Sequence, residues 1–200
     1  MCANISHSYE YGYTAGKLAA DWLNTNCSAS QTVACALLTK PQSLAVIARA
    51  NGIIEGLREN CTFAQIVATK PYSDQASARE MTEQMMREHP KIRCIVGVSD
   101  MSILGAYDAL EAMNLLNEEM CLVGIDASAP VLKKIQEGTV IRGSVSQDTK
   151  GFAEVTIHAA IAAIQGNPLP ESSIKIEAVT MENVAAYLQA EAASHSTPAS

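Results

Sequence analysis

The sequence predicts an α/β fold, a doubly wound parallel sheet, and three observations lead there. Short β-rich runs recur at residues 32–39, 62–69, 92–99, 119–126, 141–147 and 173–179, each ending in turn residues. The first four are continuously apolar rather than alternating, the pattern of a parallel strand covered on both faces. Amphipathic stretches with helical periodicity lie between them, so the chain reads as successive strand–helix–strand units.

The helices follow in order. Residues 15–23 put Leu18, Ala19, Trp22 and Leu23 on one stripe, and residues 45–57 do the same with Ala45, Ala48, Ile53 and Leu57. Gly52 and Gly56 in that second stretch are expected to let it pack closely on the sheet. Residues 76–88 gather Ala78, Met81, Met85 and Met86, and stop at His89-Pro90, because the residue before a proline leaves the helical region. Residues 103–113, 129–136 and 152–165 complete the set, and the small polar end from residue 189 reads as a frayed tail.

Composition narrows the function. Hydrophobic residues make up 48% of the 200, against 18% charged and 4% aromatic, so the chain can bury a core and that core is aliphatic. Fourteen basic residues scattered among twenty-one acidic ones give a net charge of -7, which argues against a nucleic-acid footprint. No apolar run approaches the roughly 18 residues of a membrane span. The opening MCANISHSYEYGY lacks the basic and apolar regions of a signal peptide. Six cysteines show no metal-ligand spacing, and Cys35, Cys94 and Cys121 lie in apolar runs where a thiol acts as a small hydrophobe. No disulfide, metal or cofactor is expected.

Catalytic signatures fail one by one. Gly97-Val98-Ser99-Asp100-Met101 imitates a nucleophile elbow, but Met101 stands where the second glycine is needed, and His158 falls within a helix. Gly12 to Leu18 is one residue short of a phosphate-binding loop and lacks its Ser/Thr. The chain is not expected to be an enzyme.

Right-handed crossovers place all strand C-termini on one edge, where ligands of such folds bind. Polar residues stand there: Lys40 and Gln42, Tyr72 to Asp74, Ser99 and Asp100, Asp126, and Gln147. Helix capping accounts for Ser43, Asp74, Asp100 and Ser128. It leaves Asp126 and Gln147 unexplained, and a carboxylate with an amide at a sheet edge suits a hydroxylated or amino ligand.

Five motifs in register then carry a resemblance: Arg49-x-x-Gly52, His89-Pro90 with Ser99-Asp100-Met101 ten residues on, Val123-Gly124-Ile125-Asp126, Ile135-x-x-Gly138, and Ser146-Gln147. Over residues 5–188 the chain resembles the type I periplasmic binding proteins, the ribose/galactose-type solute receptors. The resemblance implies two α/β lobes closing on a small ligand by a hinge. It implies a pocket lined by Ile47, Tyr72, Ser73, Ser99, Ile125, Asp126 and Gln147, of which Asp126 and Gln147 match a polyol site. Ile47 stands in place of a sugar-clamping arginine, Ser73 in place of an aromatic platform that Tyr72 would supply, and Ser99 in place of an asparagine.

The resemblance also divides the chain. Residues 1–11 would be a remnant of lobe one and the hinge, 12–147 the ligand-binding lobe two, 148–188 a segment completing lobe one, and 189–200 a flexible tail. Members of this family carry about a hundred residues, a small domain's worth, ahead of the point where this sequence starts. The expected function is solute binding, of a sugar or sugar-like molecule, for an ABC-type uptake system. Its partners would be the ligand and a membrane permease, and its location extracytoplasmic in the full-length form. The alternative with the same fold is the effector domain of a lactose-repressor-type regulator. Apolar positions at 152, 155, 161, 164, 174 and 176, meant for lobe one, predict self-association of the chain by itself or repacking onto lobe two.

Overall fold

Helix and strand propensities resolve in the computed structural model, which describes residues 2–147, 149–167 and 175–196. The elements run α1 (Cys2–Asn26), β1 (Val33–Thr39), α2 (Leu44–Asn60), β2 (Ala64–Pro71), α3 (Gln75–Glu88), β3 (Ile92–Gly97), α4 (Asp100–Ala112), β4 (Cys121–Ile125), α5 (Ala129–Gln136), β5 (Ile141–Gln147), α6 (Thr149–Gln165), β6 (Ile176–Thr180) and α7 (Val184–Ser196).

All six strands form one sheet in the order β2-β1-β3-β4-β5-β6. β1 to β5 are mutually parallel, whereas β6 runs antiparallel to β5. The chain moves outward from β1 to β2, then crosses back over β1 to β3 and continues one way to β5. Right-handed crossovers therefore put α2 on one face and α3, α4 and α5 on the other. α1 joins α2 on its face, lying across β4 and β5.

Several expectations change. The first helix is far longer than the stripe at 15–23, because the polar-aromatic stretch before it packs on α2: Ser8 and Tyr11 are buried, and Tyr9 Oη donates to Glu55 at 2.6 Å. Gly52 and Gly56 face α1, not the sheet. A β-carbon on Gly52 would sit 2.2 Å from Tyr9 O, and one on Gly12 would sit 1.9 Å from Arg49 O. β2 is an edge strand with a half-exposed pattern; its apolar run includes Gln65, Thr69 and Lys70, which mark the open side. The stretch expected as a frayed tail is helical as far as Ser196, since alanine, glutamate and glutamine there favour a helix. Residues 197–200 lie outside the described residues.

The core is aliphatic as expected, with Leu37, Leu38, Ile53, Ile95, Ile103, Leu110 and Leu122 fully buried. Met85 and Met86 are core residues as their helical spacing implied. Cys35, Cys94 and Cys121 are in register across β1, β3 and β4 and completely buried, acting as small apolar side chains. Large apolar side chains are exposed on α6, where Ile157, Ile161 and Ile164 are 58%, 46% and 86% exposed, and also singly elsewhere, as at Leu44 and Met181. Ile176 of β6 does find the core. The side chain of Phe152 and all of Ile174 lie outside the described residues.

Candidate functional site

β1 and β3 are neighbours whose following helices leave toward opposite faces, and this reversal opens a crevice at their carboxyl ends. Six side chains reach this edge from six segments: Lys40 after β1, Arg49 from α2, Tyr72 after β2, Ser99 after β3, Asp126 after β4 and Gln147 closing β5. Gln147 Nε2 donates to Asp126 Oδ1 in a short hydrogen bond. Arg49 Nη1 lies 3.8 Å from the same oxygen and donates to Val98 O at 2.8 Å. Tyr72 Oη and Ser99 Oγ are 2.6 Å apart, and the Lys40 ammonium stands 4.7 Å from the centre of the Tyr72 ring.

The electrostatics follow from partial burial. Burial lowers the Arg49 pKa, against the pull of Asp126, because its side chain is only 13% exposed. Burial likewise raises that of Asp126, while Arg49, the Asp100 N–H and the Gln147 amide draw it back. Arg49 Nε is buried without a hydrogen-bond partner, an unspent charged donor beside an accepting carboxylate. Asp126 has φ 128° and Ala127 φ 48°, consecutive residues in the left-handed region, where backbone strain tends to mark function.

Sequence reasoning placed Asp126, Gln147 and Ser99 here. Of the other expected positions, Tyr72 reaches the edge with its hydroxyl, and Ile47, Ile125 and Ser73 lie differently. Ile47 lies two residues before Arg49, so on a helix it projects from the other side. Ile125 is fully buried in the core. Ser73 is drawn into the start of α3, where its N–H donates to Ser77 Oγ at 2.9 Å. Tyr72 is 3% exposed and lends its hydroxyl to Ser99, so it offers no open ring as a platform. Arg49 and Tyr11 went unassigned. The signal for Arg49 was a lone cation in an apolar helix; its guanidinium lies 5.9 Å from the Tyr11 ring centre, and nothing in the sequence marked Tyr11.

The capping assignments divide. Asp74 caps α3 in a capping box with Ser77. Ser99, not Asp100, is the cap residue of α4, and neither Ser43 nor Ser128 makes a side-chain cap bond. Asp100 is 2% exposed, accepting from Ser144 Oγ and from Ser128 N, both at 2.6 Å. Burial pushes its pKa up to about 6. The folded chain therefore holds this proton more tightly than the unfolded chain, and stability should rise as pH falls from above 6 toward the ordinary carboxylate range. Relative to Asp100→Asn, the gain should reach up to about 3 kcal/mol. Urea denaturation of both chains at pH 4.5 and 7.5 measures it, and equal pH dependence would refute it.

Chemically, this edge offers donors and acceptors for a hydroxylated ligand. His158 lies within α6, as the sequence implied. Among the described residues, no group of three His, Cys, Asp or Glu is placed to hold a metal ion. No helix of the described residues is long and apolar enough to cross a membrane.

Known structures share this architecture. One is an ABC transporter periplasmic solute-binding protein from Actinobacillus succinogenes 130z with bound D-allose: TM-score 0.79, 20% identity, 90% of this chain and 62% of that one. Another is an ABC transporter solute-binding protein from Bacillus halodurans C-125 with bound myo-inositol: TM-score 0.77, 26% identity, 90% and 60% covered. A third is a Mycobacterium smegmatis protein in complex with β-D-fucofuranose: TM-score 0.80, 22% identity, 94% and 61% covered. This chain thus spans about three-fifths of the length of these structures. No curated protein sequence matches it. The periplasmic binding protein domain family matches residues 4–168, and the fold agrees with it. The chain belongs to the periplasmic binding protein domain family, whose members bind solutes and are not enzymes.

Proposed function

We propose that this chain is the second lobe of a sugar receptor serving an ABC-type uptake system outside the cytoplasm. A single observation carries the reading. At the edge where β1 and β3 part, Asp126 meets Gln147 and Arg49, and Arg49 still has an unspent buried donor. A carboxylate that accepts from one sugar hydroxyl and a guanidinium that donates to its neighbour suit a vicinal diol. The sugars and the inositol in the matched structures support the same ligand class.

The division of the chain goes with this reading. Residues 12–147 form the ligand lobe, and α6 leads to the hinge and the other lobe. The rest of the 148–188 segment does not all belong there: β6 pairs with β5 in this lobe's own sheet. Residues 2–11 run unbroken into the rest of α1, and α7 continues past residue 189 to Ser196. The exposed isoleucines of α6 face the other lobe in a complete receptor, and a second copy when the chain is alone. The permease partner follows from the same role. The regulator alternative gains no observation of its own.

Titration calorimetry against D-allose, D-ribose and myo-inositol tests the proposal. Asp126→Ala should weaken binding by about ten- to a hundredfold, the worth of a charged hydrogen bond, in the receptor that contains this chain. The chain alone should bind far more weakly, because one lobe leaves the ligand in water. Micromolar binding by the chain alone that ignores Asp126→Ala would place the site elsewhere.

A further inference from the structure

Two consecutive left-handed residues make the turn after β4 costly to hold, and the structure shows what holds it. The N–H of Asp126 donates to Val145 O at 2.8 Å, that of Ala127 to Ser144 Oγ at 2.9 Å, and that of Ser128 to Asp100 Oδ2 at 2.6 Å. The Ser144 hydroxyl in turn donates to Asp100 Oδ1 at 2.6 Å. The Asp100 carboxylate therefore secures both amides beyond Asp126, one directly and one through Ser144.

Gly124 makes room for this. A β-carbon there would lie 2.2 Å from Asp100 Oδ1. Among the described residues no cation pairs with Asp100, so a charged group is buried where a cap would have been exposed. An isolated buried carboxylate is expensive unless its lone pairs are used, and these are spent on β5 and on the α5 turn rather than on α4. In addition, the backbone N–H of Asp100 acts on the Asp126 carboxylate.

We propose that Asp100 is a positioning residue that fixes the β4–α5 turn and so aims Asp126 at the ligand. The inference rests on the reading of Asp126 as the ligand acceptor, but its test does not need a ligand. Amide hydrogen exchange, followed by NMR on the full chain, reads the local opening of the turn. In Asp100→Ala, the Ala127 and Ser128 amides should exchange at least about tenfold faster, while Val96 and Val123 in the sheet keep their protection. Asp100→Asn retains an acceptor and an amide that Ser144 can accept from, and should restore slow exchange. Should Asp100→Ala fail to fold, Ser144→Ala removes one link of the same network and should speed Ala127 more than Ser128.

Unchanged exchange at Ala127 and Ser128, or a rise in step across the whole sheet, would overturn the proposal. Asp126→Ala separates the two readings: it should leave the turn protected while weakening sugar binding by about ten- to a hundredfold. A receptor that ignores every sugar in the panel while Asp100→Ala still loosens the turn would sink the sugar reading and leave the positioning role standing.

Discussion

Replacing Gly12 by alanine should cost about 3 kcal/mol, the upper end of overpacking effects, even though alanine favours a helix by up to about 1 kcal/mol. The added methyl group meets Arg49 O at 1.9 Å, and that obstacle is backbone, which has no rotamer through which to yield. Gly16, Gly52 and Gly56 are in the same position: their β-carbons would lie 2.2–2.3 Å from carbonyl oxygens of the facing helix. α1 and α2 would have to separate along their whole contact to admit one methyl. For a domain with a stability of roughly 5–15 kcal/mol this is a large loss, readable as a lower urea midpoint. Gly52→Ala, approaching the same contact from α2, should behave alike. A midpoint unchanged in both variants would mean that the helices pack more loosely than described. Since the obstacle is the carbonyl of Arg49 itself, the same substitution should also disturb the ligand edge.

Arg49→Met should separate binding from stability. The Arg49 side chain is 13% exposed, its Nε has no partner, and its carboxylate neighbour Asp126 is 3.8 Å away, so its desolvation is poorly repaid in the free chain. A methionine of similar length fills the space and leaves only Val98 O without its 2.8 Å donor. Stability should change by no more than about 1 kcal/mol. Sugar affinity should fall by about a hundredfold or more, as two charge-assisted hydrogen bonds are lost. The Asp126 carboxyl, relieved of its main restraining charge, should titrate higher still. Calorimetry and urea denaturation on one pair of proteins suffice. A variant that binds normally would show that Arg49 serves packing alone, and one that unfolds would show that its bonds to Val98 and Asp126 outweigh its burial.

The strands were legible because continuous apolar runs such as TVACALLT have few other uses in a chain of this composition. Their number and the parallel direction of the first five followed. The place of β2 at the edge did not, since a run records how apolar a strand is and not how many neighbours it has. The antiparallel turn of β6 was hidden for the same reason. At the site, Asp126 and Gln147 stood out because capping failed to explain them. Arg49 was visible only as part of a motif. Its role depends on the tertiary approach of α2 to β3, and α2 is seated there by a close contact with a helix whose first half carries little apolar periodicity. Asp100 was misjudged because a carboxylate at the first residue of a helix looks the same in sequence whether it caps that helix or reaches across to β5 and α5.

The free borders of the sheet have a consequence for how the molecule meets its own kind. An outer strand presents an unpaired row of amide and carbonyl groups, which invites edge-to-edge joining and aggregation. Here, among the described residues, the borders are β2 and β6. β2 carries Gln65, Thr69 and Lys70 and ends in Pro71, which has no amide hydrogen to offer. Lys70 is also tethered to Glu88 at 3.1 Å, keeping a charge beside that border. β6 is five residues long and bears Glu177 and Thr180. Both borders are thus blunted, and sheet extension into a fibre is disfavoured on either side. If copies meet through the exposed isoleucines of α6, as proposed above, that contact is made by side chains alone and can dissolve again without unzipping a strand.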